Sequence, residues 1–306
     1  MRLDTWITGQ GFTLVPESAS RENSPQLPRT RQGWSNLLRE LGIRPSKGMG
    51  QNFLFDQAII DRMVAASGFH QDETIVEIGP GLGILTHALL EEGANVVAIE
   101  LDDQLAAHLQ SVFGGQAKFR LLHADALQVN LDDVVSPGAS YRIVANLPYS
   151  IGTVVARRFL EAPHPPTSMT LMLQREVAER MAAQPPAMSL LSVATQFYAA
   201  CEVEFTVPND VFLPPPEVES AVITLTSHTP PLPAERRARF FAIVTAGFRQ
   251  KRKQLANALG DELKMEKHDV ARWLTESGVD ASRRAQTLSV AEWVAISDHD
   301  PRREQT

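Results

Sequence analysis

Residues 76–89 read VEIGPGLGILTHAL, and this stretch decides the fold. A short β-rich run leads into Gly79, Gly81 and Gly83, and a helical pattern follows. Glycines at a strand-to-helix turn let a ligand approach the backbone closely, and the first turn of the helix offers free N–H groups and a positive dipole. The stretch therefore predicts a binding site for a nucleotide-like ligand.

Strands and helices alternate around this turn. We predict strands at residues 74–78, 95–99, 119–122, 142–145 and 168–173, and helices at 34–41, 57–66 (capped by Asp56), 82–92, 102–112 and 153–160. Such alternation is typical of a parallel sheet that is covered on both faces. Two later runs, at 201–207 and 220–227, are joined by a proline-rich segment and predict an antiparallel hairpin at the sheet edge.

The pattern becomes entirely helical beyond residue 230, with helices predicted at 236–248, 252–259, 270–277 and 290–297. The stretch HTPPLPAE before them is typical of a linker. We therefore predict an α/β fold with a Rossmann-like sheet and an antiparallel edge hairpin, followed by a small all-α C-terminal domain. The expected divisions are a flexible N-terminal extension at 1–30, a catalytic domain at 31–229 and a helical domain at 230–306.

The composition excludes several kinds of site. A single cysteine, Cys201, in 306 residues excludes an internal disulfide and a cysteine-based zinc site, and the eight histidines form no metal-binding pattern. The first residues show no signal-peptide pattern. The uncharged stretch 181–201 is too polar to span a bilayer and predicts a buried helix instead. We expect a cytoplasmic protein without a metal.

Charge is divided unevenly along the chain, although its net value is −7. Residues 1–229 hold 15 Lys and Arg against 25 Asp and Glu, whereas the remaining residues hold 14 against 11. Four basic residues fall within five positions, at Arg249, Lys251, Arg252 and Lys253. They indicate either a solvated helix face or a contact with nucleic-acid phosphates.

Three acidic residues stand near the ends of the first three strands. Glu77 would repel a pyrophosphate and suits a positively charged ligand, Glu100 can accept from ribose hydroxyls, and Asp125 can accept from an exocyclic amine. The glycines are spaced G-x-G-x-G, whereas the dinucleotide fingerprint is G-x-G-x-x-G. This combination resembles the class I S-adenosylmethionine (SAM) methyltransferases, with NAD binding as the alternative.

The fourth strand is followed by Asn146, Leu147, Pro148 and Tyr149. Ligands bind at the carboxyl ends of strands in such sheets, so this tetrapeptide should lie beside the cofactor. The side-chain oxygen of Asn146 and the carbonyl of Leu147 or Pro148 can accept both protons of an adenine amine and aim its lone pair outward. Tyr149 offers a face for base stacking, worth about 1–3 kcal/mol. A plain turn with a packed tyrosine is the alternative interpretation.

Eight segments carry a wider resemblance: KGMGQNFL, VEIGPGLG, VVAIELD, HADAL, VANLPYSI, LQREVAERM, FLPPPEVESAV and FRQKRKQLANAL, in this order. Together they resemble the rRNA adenine N6,N6-dimethyltransferases of the KsgA/RsmA type over residues 46–288. The resemblance implies transfer of four methyl groups from SAM to two adjacent adenosines, in a hairpin loop near the 3′ end of 16S rRNA in the small ribosomal subunit.

The resemblance also implies roles for individual residues. The cofactor would be bordered by Asn52, Leu54, Gly79, Gly81, Glu100, Asp125 and Asn146. The target adenine would be received by residues 146–149, with Phe212 as a second aromatic that closes a sandwich around the base. We expect RNA affinity to come chiefly from the basic cluster at residues 249–253, and we expect a monomer.

Three departures from the family pattern concern substrate handling. The segment before Leu190, within PPAMSLLSV, is shorter than usual, Glu217 stands where a lysine is common, and Gly152 stands where a small hydroxyl residue is usual. Three rival functions remain open. They are an Erm-type enzyme that acts on 23S rRNA, a non-catalytic ribosome-assembly factor, and an NAD oxidoreductase.

Overall fold

The computed structural model describes residues 13–14, 27–28, 30–45, 51–136, 138–250 and 252–302. The strands of these ranges are β1 (Thr13–Leu14), β2 (Phe53–Leu54), β3 (Thr74–Ile78), β4 (Asn95–Glu100), β5 (Phe119–His123), β6 (Tyr141–Asn146), β7 (Ser168–Gln174), β8 (Ala199–Val207), β9 (Phe212–Leu213) and β10 (Ser220–Ser227). The helices are α1 (Arg31–Glu40), α2 (Gln57–Ser67), α3 (Ile84–Glu91), α4 (Asp103–Phe113), α5 (Gly152–Leu160), α6 (Arg175–Ala182), α7 (Leu190–Gln196), α8 (Ala234–Arg249), α9 (Leu255–Leu263), α10 (Lys267–Glu276) and α11 (Val290–Asp298).

Eight of the strands form one sheet, in the order β1-β5-β4-β3-β6-β7-β10-β8. Strands β3 to β7 pair in parallel with one another, whereas β10 is antiparallel to both β7 and β8. The predicted parallel sheet and its antiparallel edge pair are confirmed. The strand order reverses at β3, which lies between β4 and β6. The crevice at such a reversal is where open α/β sheets bind ligands.

The sheet has a hydrophobic core on each face. Successive residues of β3 show this, since Val76 belongs to one core and Ile75 to the other. Ile60 of α2 and Leu89 of α3 pack in the core of Ile75, and Phe159 of α5 packs in the core of Val76. Strands that are buried on both faces need apolar residues at successive positions. This requirement explains the continuous apolar runs of the sequence.

Helix boundaries follow from local signals. Asp56 caps α2 as predicted, and its Oδ1 accepts from the backbone N–H three residues on at 3.1 Å. Helix α3 begins at Ile84, two residues later than predicted, because Gly83 before it adopts a left-handed conformation with φ 83°. The buried helix predicted over 181–201 is wrong in extent, because a proline-containing loop separates α6 from α7. No helix within the described ranges is both long and apolar enough to cross a membrane.

Two short pairings involve strands that we did not predict, namely β1, β2 and β9. Strand β2 pairs antiparallel with β9 and places Leu54 opposite Phe212. Strand β1 lies within residues 1–30, the predicted flexible extension, and pairs antiparallel with β5. Most of that range lies outside the described residues. Strands of two residues are too short to show a periodic pattern, so the sequence could not reveal them.

Helices α8 to α11 form the predicted all-helical C-terminal part. Their core continues that of the sheet, since the ring centroid of Phe197, just after α7, lies 4.6 Å from that of Phe240 and 5.1 Å from that of Phe241. The shortened loop before α7 also contacts this part, where Met188 N donates to Gln286 O at 3.0 Å. The domain boundary near residue 230 stays a prediction.

Candidate active site

A cleft that is open to solvent lies at the carboxyl ends of β3, β4 and β6. Its walls include Asn52, Leu54, Gly79, Gly81, Glu100, Asn146, Leu147, Pro148, Tyr149 and Phe212. The structure therefore gathers every residue predicted to be catalytic and every residue predicted to border the cofactor, with one exception. The β2–β9 pairing brings the segment after residue 51 against Phe212, which the sequence could not show.

The exception is Asp125, which follows β5 and does not line the cleft. Its Oδ1 accepts from Leu127 N at 2.8 Å, which is an Asx turn that closes the loop after the strand. The predicted contact between Asp125 and a cofactor amine stays a prediction.

The glycine loop has a backbone conformation that favours glycine. Gly79, Gly81 and Gly83 all have positive φ, at 66°, 60° and 83°. A Cβ atom on Gly81 would lie 3.2 Å from the ring of Phe53, so β2 packs directly on the loop. On the other side, Gly81 N donates to Oε2 of Glu100 at 3.1 Å. The loop is therefore fixed between β2 and the end of β4.

Glu100 is buried, with 6% of its surface exposed, and its carboxylate both lines the cleft and accepts hydrogen bonds from the backbone. Besides Gly81 N, it accepts from Leu101 N at 2.9 Å and Asp102 N at 3.0 Å. Burial raises the pKa of Glu100, and these three donors oppose that rise. A carboxylate has about four acceptor positions, so three backbone donors leave about one for a ligand hydroxyl.

Glu77 lies deeper in the cleft and is 1% exposed. Thr86 Oγ1 donates to its Oε2 at 2.6 Å. Burial raises the pKa of Glu77 to about 8, and the negative charge of Glu100 adds to the rise. The side chain is therefore largely protonated at neutral pH, and a positively charged ligand in the cleft would favour its ionised form.

Glu77 predicts an unusual dependence of stability on pH. The unfolded carboxyl has a pKa of 4.5 and the folded one a pKa of about 8, so between these values only the folded state keeps the proton. The free energy of unfolding should therefore fall as pH rises through this window, by up to about 1.4 kcal/mol per pH unit. Denaturant titrations of the ligand-free protein from pH 5 to 8 measure this fall, which Glu77→Gln should reduce to the part that comes from the raised pKa of Glu100. Glu204→Gln, at an exposed carboxyl on β8, should leave it in place, and equal slopes in all three proteins would contradict the assignment.

The tetrapeptide after β6 presents distinct acceptors to the cleft. Across the described ranges, the side chain of Asn146 has no hydrogen-bond partner within the protein. The carbonyl of Pro148 already accepts from Ile151 N at 3.1 Å, in the turn that leads into α5. The backbone N–H of Leu147 donates to Met172 O at 3.4 Å, which fixes this residue against β7. Of the two carbonyls that the sequence left open, that of Leu147 is the better second acceptor.

The two aromatic residues of the site differ in exposure. Tyr149 is half-buried, and its hydroxyl lies 2.7 Å from Ser220 Oγ, a partner that the sequence analysis missed. Phe212 is only 1% exposed and packs in the core that contains Ile60. Stacking of a base on Phe212 would require this wall of the cleft to open, so its predicted role in a sandwich stays a prediction.

The predicted RNA-binding residues lie at the junction of α8 and α9. Arg249 Nη1 is 2.8 Å from Oε2 of Glu262, and Lys253 Nζ is 2.7 Å from Oδ2 of Asp261. The bond from Lys253 lowers the pKa of Asp261. Arg252 is exposed, and Lys251 lies outside the described residues. Exposed ion pairs are weak, so a phosphate could replace either carboxylate.

Gly152, one of the departures from the family pattern, has a local explanation. A Cβ atom there would lie 2.4 Å from Cδ2 of Leu173, a side chain that is 1% exposed. A serine or threonine at this position has no room unless Leu173 moves. Gly152 and Leu173 therefore fit together, beside the start of α5.

Comparisons with known proteins show which proteins this chain is similar to. The family model described as "Ribosomal RNA adenine dimethylase" matches residues 44–299. A protein of Dehalococcoides mccartyi named "Ribosomal RNA small subunit methyltransferase A" is 39% identical over 258 residues, which cover 84% of this chain and 89% of the relative. A protein of the same name from Geobacillus thermodenitrificans is 38% identical over 272 residues, covering 86% and 93%.

Two solved structures have a similar fold. The 23S rRNA methyltransferase ErmE superposes with a TM-score of 0.66 at 25% identity, covering 81% of this chain and 99% of that one. A dimethyladenosine transferase from Plasmodium falciparum superposes with a TM-score of 0.65 at 21% identity, covering 80% and 95%.

Proposed function

The chain belongs to the ribosomal RNA adenine dimethylase family, and we propose that it dimethylates N6 of two adjacent adenosines in a hairpin loop near the 3′ end of 16S rRNA, with SAM as the methyl donor. One observation carries the proposal. The glycine loop and residues 146–149 line the same cleft, at the point where the strand order reverses. The name shared by the relatives supports the small subunit over the large one.

The residues that line the cleft suit SAM in backbone access and in charge. A Cβ atom on Gly79 would meet nothing within 4 Å, so the backbone there borders open space. Two buried carboxyl groups, Glu77 and Glu100, suit a ligand that carries positive charge. The residues that would hold SAM are Asn52, Leu54, Gly79, Gly81, Glu100 and Asn146. Bound SAM supplies an electrophilic methyl group on a sulfonium.

The protein's part in the reaction is to orient the adenine amine. Its lone pair is delocalised into the ring, which makes it a poor nucleophile. The side-chain oxygen of Asn146 and the carbonyl oxygen of Leu147 accept its two protons, which lets the nitrogen rehybridise and aims the lone pair at the donor. Tyr149 stacks on the base and fixes its plane. Because the methylated ammonium loses its proton readily to water, positioning and electrostatics suffice.

The RNA approaches over the C-terminal helices. Residues 230–306 carry more basic than acidic side chains, whereas residues 1–229 are strongly acidic. Arg252 is exposed, and Arg249 and Lys253 can exchange their carboxylate partners for phosphates. The same proposal includes a cytoplasmic location, as for ribosome assembly in general, and action as a monomer.

Methylation of purified ribosomal particles tests the function. The protein, with labelled SAM, is incubated separately with small-subunit and large-subunit particles, and primer extension maps the modified bases. We expect strong stops at two adjacent adenosines near the 3′ end of 16S rRNA. Stops confined to 23S rRNA would instead support an Erm-type enzyme. RNA binding without methyl transfer would support an assembly factor. Calorimetry with SAM and with NAD decides the cofactor.

A further inference from the structure

The hydroxyl of Tyr149 has a fixed partner on a distant strand. Ser220 Oγ lies 2.7 Å from it, and Ser220 is fully buried. The two residues are 71 positions apart. Ser220 is the first residue of β10 and lies opposite Gln174 of β7 and Val207 of β8. Neighbouring strands therefore hold its backbone on both sides.

A second set of contacts joins α6 to the residue before Ser220. Arg175, which begins α6, donates its backbone N–H to the carbonyl of Glu219 at 3.0 Å. Its Nη1 also donates to Oε2 of Glu219 at 2.9 Å, and its Nε donates to Glu179 at 2.7 Å. The segments LQREVAERM and FLPPPEVESAV are thereby joined at the residue before Ser220. The proposed chemistry gives no role to either Arg175 or Ser220.

The position of Tyr149 in the chain explains why its ring needs such an anchor. It lies in the turn between β6 and α5, outside any helix or strand, and is half-buried. A tyrosine in a turn can rotate about two side-chain bonds, and these rotations decide whether the face of the ring is presented to a base in the cleft. A phenol is protonated at neutral pH, and burial raises the pKa of Tyr149 further, so its hydroxyl stays able to bond to Ser220.

We propose that Ser220 is a positioning residue for methyl transfer, which fixes the ring of Tyr149 in the orientation that stacks on the target adenine. This inference rests on the proposed function, in which the adenine lies on Tyr149. A bond at the far end of the ring limits both rotations, while the ring faces stay free. Small errors in the placement of a reacting group lower rates strongly, so losing the bond should affect catalysis more than folding.

A double-mutant cycle tests the proposal. The variants are Ser220→Ala, Tyr149→Phe and the double variant, assayed for methyl transfer to small-subunit particles with RNA and SAM varied separately. We expect each single change to lower kcat/KM for RNA by roughly five- to tenfold, the worth of one hydrogen bond. The double variant should lose no more than either single variant, since both changes break the same bond. The dissociation constant for SAM should not change.

The control is Ser227→Ala, at the other end of the same strand. Within the described ranges, the buried Ser227 hydroxyl has no hydrogen-bond partner, so this variant removes a serine hydroxyl without removing a bond. It should retain the wild-type rate. Ser220→Thr keeps the hydroxyl and should recover activity relative to Ser220→Ala.

Three outcomes would overturn the inference: additive losses in the cycle, full activity in Ser220→Ala, or an equal loss in Ser227→Ala. A failure of the proposed function looks different. If Tyr149→Ala and Asn146→Ala both kept full activity, the assignment of the adenine site itself would be wrong. If those two variants were inactive and Ser220→Ala was fully active, only the role of Ser220 would be withdrawn.

Discussion

Replacing Asn146 with alanine is expected to lower the rate of methyl transfer by at least about 100-fold, the cost typical of removing one preorganised group that stabilises the transition state. The side chain lies on the cleft wall at the end of β6 and has no partner within the described part of the protein. Its oxygen is therefore available to the adenine amine. Without it, Leu147 accepts only one of the two amine protons, and the nitrogen lone pair stays delocalised.

The measurement is single-turnover methylation of small-subunit particles, because this isolates the chemical step from product release. RNA affinity should change little, since the phosphate contacts are proposed at α8 and α9. The matched control is Asn36→Ala on the surface of α1, where Asn36 bonds only to exposed neighbours and should not affect the rate. Activity of Asn146→Ala within a few-fold of wild type would refute the role assigned to this side chain.

The parallel sheet could be predicted because strands that are buried on both faces appear in the sequence as continuous apolar runs. Strand β3 occupies 74–78 as predicted, and the other parallel strands extend one residue beyond the prediction, β6 at both ends and β4, β5 and β7 at their carboxyl ends. The position of residues 146–149 beside the glycine loop also followed, because the carboxyl ends of parallel strands meet at one edge of the sheet. Each of these conclusions needs only local patterns and one rule of topology.

The remaining features depend on contacts between distant residues. Phe53 packs on Gly81 through the two-residue pairing of β2 with β9, which has no periodic signal. The bond from Tyr149 to Ser220 and the ion pair of Arg249 with Glu262 each require the folded chain. Carboxylates of α9 thus compensate part of a cluster that looks purely basic in sequence. Composition alone overstates the charge that the cluster offers to RNA.

Gly83→Ala is expected to destabilise the protein by about 2–5 kcal/mol, the sum of backbone strain and overpacking. The residue before α3 has φ 83°, where any side chain is strained. A Cβ atom there would also lie 2.5 Å from Cε2 of Phe113 and 3.0 Å from Cδ2 of Leu109. Phe113 cannot easily move, because it is 2% exposed and its ring centroid lies 5.3 Å from that of Phe119.

Gly68→Ala separates the two contributions. Gly68 ends α2 with φ 58°, and a Cβ atom there would meet nothing within 4 Å, so this change adds strain without a clash. Denaturant unfolding of both variants should show a larger loss for Gly83→Ala, by about 1–3 kcal/mol, which is the overpacking contribution. Since Gly83 immediately precedes α3, whose Ile84 and Leu85 line the cleft, its variant should also bind SAM more weakly, whereas Gly68→Ala should bind it normally. Equal losses of stability in the two variants would show that Phe113 yields to the added methyl group, and the glycine at 83 would then be required by its backbone conformation alone.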